Sequence, residues 1–217
     1  MNQPTLYPPG TVRALLTSEH VSPRTREVLT ERLTHQAGPL HFFSANEART
    51  LQRIANRLIP QPDDSGYVVD LVSPIDNRLI TNESDGWRYD TMPADGDAFR
   101  LGIAGFHESA QALYGRSFDE LAEAQQDGLI RQLQQGTAPG AVWQKLPSNR
   151  FFEELLAELV SIYYSHPLSQ EAIGYVGMAD KPGWTRIGLN ELEEREPGHL
   201  TPNPSPFERG TAPHYLA

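Results

Sequence analysis

The sequence predicts an all-α protein, an irregular helical bundle with a central apolar helix, long loops and extended Pro-rich terminal arms. Three observations carry that expectation. Along the middle of the chain apolar residues recur at spacings of three and four, the period of a helix face. Between Asn149 and His166 the residues Phe151, Phe152, Leu155, Leu156, Leu159, Val160, Ile162 and Tyr163 make an apolar surface too wide for an outer helix. No stretch alternates apolar and polar residues convincingly enough for a sheet.

The elements follow in chain order. Of 18 prolines, five lie in residues 1–40 and five in 193–217, so both ends read as arms. The first arm, 1–40, holds one short helix: Ser22-Pro23 places an N-cap before a first-turn proline, with Val28, Leu29 and Leu33 behind it and an end near His35. A helical domain then spans 41–192. Ser44-Ala45-Asn46-Glu47 is a capping box leading into Ala48, Leu51, Ala55 and Leu58, stopped by Pro60. Val68 to Ile80 suggests a second helix that Pro74 should kink or restart. Phe99, Ile103, Phe106, Ala110 and Leu113 repeat at helical spacing up to Gly115, a natural terminator. A second capping box, Ser117 to Glu120, opens a run to Gly136, as one helix or as two broken at Gly128. The apolar helix ends at Pro167, and four glycines between Leu168 and Asn190 predict a long ordered loop anchored by Tyr175, Trp184 and Ile187. The last arm, 193–217, has too few large apolar residues to fold alone.

Composition narrows the chemistry. The formal charge of −10 gives no source for an electrostatic grip on nucleic acid or on an anionic membrane. Without cysteine there is no thiolate metal site, Fe–S cluster, Cys nucleophile or c-type haem attachment. The N-terminus shows no signal and no segment has the apolar length of a membrane span, so the chain as written is expected in the cytoplasm.

Site chemistry is sparse. His20, His35, His41, His107, His166, His199 and His214 include no His-x-x-x-His pair, so no metal is expected. Consecutive residues on a helix point apart, so His107 reads as a hydrogen-bonded, partly buried side chain and not as a base paired with Glu108. His166 reads as a cap on the carbonyl end of the apolar helix. Asp85, Asp90, Asp95 and Asp97 fail the calcium-loop spacing and read as a solvated loop with an N-cap for the Phe99 helix. No phosphate-binding glycine loop and no nucleophile elbow is present, so neither catalytic nor cofactor-binding residues are assigned. The enzyme alternative is a small metal-dependent hydrolase built on His107, Glu108 and the aspartate loop.

The arrangement resembles the gluconate 2-dehydrogenase subunit 3 family from about Phe42 to Asn190. The resemblance rests on Phe43 to Glu47 leading into Ile54 to Pro60, then Ala124-Gln125-Gln126-Asp127, Tyr163-Tyr164-Ser165-His166-Pro167, Ile173-Gly174-Tyr175 and Gly183 to Gly188. It implies an all-helical, noncatalytic small subunit that binds and stabilises a large catalytic subunit of the glucose-methanol-choline (GMC) type. That partner would hold the FAD and oxidise a sugar or glycoside, with a cytochrome c subunit as electron acceptor in some complexes. Export with the partner would place the complex in the periplasm. Tyr163, Tyr164, His166, Tyr175, Trp184, Ile187 and Phe207 are the expected partner contacts. The remaining alternative is a free-standing chaperone or regulatory module.

Overall fold

The structure, a computed structural model, describes residues 10–35, 37–61, 68–84, 89–178, 185–186, 188–189 and 191–193. Among these residues all regular structure is helical, as the sequence predicts. The helices are α1 (Thr11–Leu15), α2 (Pro23–Thr34), α3 (Ala45–Leu58), α4 (Ser73–Ile80), α5 (Asp95–Tyr114), α6 (Glu123–Gln134), α7 (Ser148–Ser165) and α8 (Pro167–Ala172). Short 3-10 turns lie at Phe118–Glu120 and Val142–Gln144. The described residues form two compact units, one from 37–163 and one from 1–36 with 164–217.

In the unit of 37–163, Ser44 opens α3 as its capping box requires. Its hydroxyl accepts from Glu47 N while the Glu47 carboxylate accepts from Ser44 N at 2.8 Å, satisfying two N–H groups that a helix start leaves unpaired. α3 buries Thr50, Leu51, Ile54 and Ala55 and packs on α5 and α6. Arg57 ties α3 to α6 through a two-pronged bond to Asp127, both contacts 2.7 Å, and a further contact to Glu123. That pairing with Asp127 holds the Arg57 proton more tightly than usual and the Asp127 carboxyl below its ordinary range. On α7, Phe151, Phe152, Leu155 and Leu159 are buried. Phe151 meets Phe99 of α5 edge to face with ring centres 5.8 Å apart.

The structure corrects several expectations. The helix foreseen across Val68 to Ile80 begins only at Ser73, with Pro74 in its first turn, where a missing N–H costs nothing. The residues before it are held otherwise: the Gln61 amide both accepts from Val69 N at 2.7 Å and donates to Val69 O at 2.9 Å. The second capping box closes only the 3-10 turn at Phe118–Glu120, and the chain breaks at Leu121 and Ala122, not at Gly128, which lies inside α6. α5 has Ala94 at its N-cap without a side-chain bond, so no aspartate caps it; Asp95 and Asp97 stand in its first turn, where negative charge suits the helix dipole. Gly115 ends α5 at φ 66°, as predicted. Pro167 does not open a loop but starts α8, so the loop expected from Leu168 is helical to Ala172. His166 caps the start of α8 and not the end of α7: its Nδ1 accepts from Leu168 N at 3.3 Å.

The other unit has its own core of Val12, Leu15, Leu16, Val21, Leu29, Val176 and Met178. Ser22 caps α2, its hydroxyl accepting from Thr25 N. α1 and α2 both pack on α8. The Arg26 guanidinium binds the carbonyls of Leu16, Ser18 and Val21, so one side chain closes the loop between α1 and α2.

Candidate interaction surface

The chemistry of the catalytic alternatives disperses. His107 Nδ1 accepts from Phe118 N, and its Nε2 lies 3.1 Å from Thr50 Oγ1, so the ring joins α3, α5 and the Phe118 turn. Glu108 turns the other way and accepts from Ala141 N at 2.8 Å and Val142 N at 3.0 Å. These backbone donors lower the pKa of Glu108, which makes it a cap on the Val142 turn. Asp85 lies outside the described residues. Among those described, no group of three or more His, Asp or Glu side chains is placed to hold a metal ion.

Asp95 meets a cation. Arg78 Nη1 donates to it at 2.6 Å, and Arg78 Nε and Nη2 each donate to Glu158 at 2.7 Å. Burial works against the Arg78 charge, but Glu158 and Asp95 outweigh it and raise the pKa. This cluster lies in a groove of about 520 Å³ walled by α4, α5 and α7, with Phe99, Phe151 and Met92 among its apolar surfaces. With four of five guanidinium N–H groups engaged, counting the bond to Glu83 O, Arg78 is a clamp between helices. On α4 the buried Asp76 accepts from the backbone N–H groups of His41, Phe42 and Phe43 at 2.7, 3.0 and 2.8 Å, pinning the approach to α3.

Exposed aromatic surface lies in the unit of 1–36 and 164–217. Glu171 is the anchor of that unit, a buried carboxylate on α8 that accepts from Gly10 N, Arg13 N and Arg13 Nη2. Burial favours protonation of Glu171, but Arg13 and the two N–H groups win and lower its pKa. His166 joins α8 to α2, its Nε2 standing 3.1 Å from Arg32 O. A ring accepting at Nδ1 with Nε2 on a carbonyl is the neutral, Nε2-protonated form, and burial lowers the His166 pKa accordingly. In the same unit Tyr164, Ile173 and Tyr175 are 44, 51 and 47% exposed. Tyr175 edges a groove of about 270 Å³ whose base is Val28, Leu29 and Met178 and whose ionisable borders are Arg24 and Arg32.

The expected contact residues therefore separate. Tyr164, His166 and Tyr175 fall in this unit, whereas Tyr163 belongs to the other and is half-buried against its core. Trp184, Ile187 and Phe207 lie outside the described residues. Sequence reasoning passes over Arg24 and Arg32 and does not count Ile173 among the expected contacts; the i, i+4, i+8 spacing of Arg24, Val28 and Arg32 is the signal that could have found the groove.

Among the described residues, no helix is long and apolar enough to cross a membrane. The sequence model of a family described as gluconate 2-dehydrogenase subunit 3 matches residues 45–187. No curated protein and no solved structure matches the chain.

Proposed function

The chain belongs to the gluconate 2-dehydrogenase subunit 3 family, and from that premise we propose that it is the noncatalytic small subunit of a dehydrogenase complex. In this reading it binds and stabilises an FAD-dependent catalytic subunit of the GMC type that oxidises a sugar or glycoside. FAD belongs to the partner, and a cytochrome c subunit is a candidate electron acceptor. The family match across 143 residues carries the proposal (45 to 187 inclusive). The exposed Tyr164, Ile173 and Tyr175 support it, because large apolar side chains left in solvent close together along a chain suit a place that another molecule covers.

Purification of a tagged chain from its native host tests the proposal. The expected result is a large yellow protein recovered in equal amount, with sugar-dependent dye reduction that neither chain shows alone. A persistent one-to-one complex in gel filtration separates a subunit from a chaperone that departs after FAD insertion. Recovery of a solitary, colourless chain would overturn the reading.

A further inference from the structure

We infer that the groove beside α2 receives a segment of the catalytic subunit that carries an apolar side chain between two carboxylates, with Arg24 and Arg32 as the carboxylate contacts. The inference rests on the accessory-subunit reading above. In a chain of net charge −10, the charged residues lining this groove, among those described, are those two arginines. Arg24 pairs with Glu27 at 2.7 Å, but the two side chains are 77 and 66% exposed, and such an i,i+3 pair gives way readily to a better-placed carboxylate. Arg32 donates one exposed hydrogen bond, to Ser165 O at 2.8 Å, and among the described residues no carboxylate forms an ion pair with it.

The geometry sets the spacing of the occupant. Eight residues of helix separate the arginines by about 12 Å, the reach of carboxylates roughly four residues apart on an extended chain. Between them Val28, Leu29 and Met178 offer an apolar seat. Tyr175 is set over that seat by Gly177, where a Cβ would stand 2.8 Å from the tip of the tyrosine ring. A volume of about 270 Å³ takes one or two side chains and falls below the usual size of a small-molecule site. Tyr164 and Ile173 are exposed in the same unit but do not line the groove.

Coexpression of the full-length tagged chain with the flavoprotein that copurifies with it provides the test, read as flavin absorbance retained per tagged chain at low and high salt. The wild type is expected to hold its partner less well as salt rises. Arg24→Glu/Arg32→Glu should lose at least tenfold in affinity, while Arg24→Lys/Arg32→Lys keeps most of it. Circular dichroism checks folding; should the double reversal unfold, Arg24→Glu and Tyr175→Ser, both at exposed positions, decide the matter with the same expected loss. Charge-reversed chains that retain the flavoprotein as the wild type does would overturn the inference and leave the accessory-subunit reading intact. So would a wild-type homodimer that Arg24→Glu dissociates, since a second copy would then own the groove. A wild-type chain that retains no flavoprotein overturns both.

Discussion

Replacing Gly105 with alanine tests the packing of α5 more sharply than removing a large side chain would. A Cβ at Gly105 would stand 2.5 Å from Trp143 Cζ2 and 2.6 Å from Cη2, about 1 Å inside ordinary contact. The indole cannot swing away freely, because its Nε1 donates to Ser109 Oγ at 2.7 Å and that hydroxyl donates to Pro139 O. Overpacking of this kind costs about 2–3 kcal/mol, of which the better helix propensity of alanine returns about 1. The net loss is about 1–2 kcal/mol, or roughly 2–8 °C in Tm for a chain of this size. Gly128→Ala is the control: its Cβ would find only Tyr114 Oη at 3.6 Å, so the same substitution in α6 should gain roughly 0.5–1 kcal/mol. Urea unfolding followed by circular dichroism measures both. In a Trp143→Leu background the Gly105→Ala penalty should largely vanish, a coupling that assigns the cost to this one contact. Gly105→Ala as stable as the wild type, or equally destabilising with and without Trp143, would refute the packing argument.

Other substitutions probe the polar clamps and can be read from the same unfolding curves. Asp76→Ala should cost roughly 3 kcal/mol or more, since three backbone N–H groups ahead of α3 lose their acceptor at a fully buried site. Arg78→Met should cost about 2–3 kcal/mol, less than a fully buried pair because the side chain is 25% exposed, and Glu158→Gln introduced with it should recover part of the loss. For His166 the folded pKa lies below the ordinary 6.5, so the neutral cap contributes fully above that value and weakens as pH falls from it toward the folded pKa, with the Arg32 and His35 charges facing the ring. His166→Asn, which can cap α8 without titrating, should flatten that acid limb in Tm measured between pH 7.5 and 5.

What is legible in the sequence and what is hidden divide by range. Ser22, Ser44 and Gly115 act on residues within four positions of themselves, so the residue pattern alone places the start of α2, the start of α3 and the end of α5. The apolar face of α7 is equally plain, because burial of Phe151, Phe152, Leu155 and Leu159 is a matter of period. Failures come where one local rule has two outcomes. Pro74 reads as a kink or a restart and stands in the first turn of α4, whereas Pro167 follows the end of α7 as expected but also starts α8, because proline both breaks a helix and starts one. His166 meets the same ambiguity, since its place between two helices suits a cap on either, and the Leu168 N–H decides it. Gly128 reads as a possible break, but its propensity cost is small beside the burial of Leu129, Ile130 and Leu133 around it.

The interaction surface is less legible because the residues that build it do not adjoin in sequence. Glu171 binds Arg13 across 158 positions, and the groove joins α2 to Tyr175 and Met178 across a similar span. Tyr164 and Tyr175 attract notice anywhere as exposed aromatics, but an arginine on an amphipathic helix normally reads as solvated surface. Arg24 and Arg32 differ only because a second segment returns beside them and supplies an apolar floor. The same long-range closure gives the proposed contact its rigidity: α8 is fixed to α1 through Glu171 and to α2 through His166, so this surface exists before a partner arrives. A partner docking there spends little of its binding energy on ordering α2 and α8, and the affinity lost on reversing the arginines should therefore appear mainly as faster dissociation.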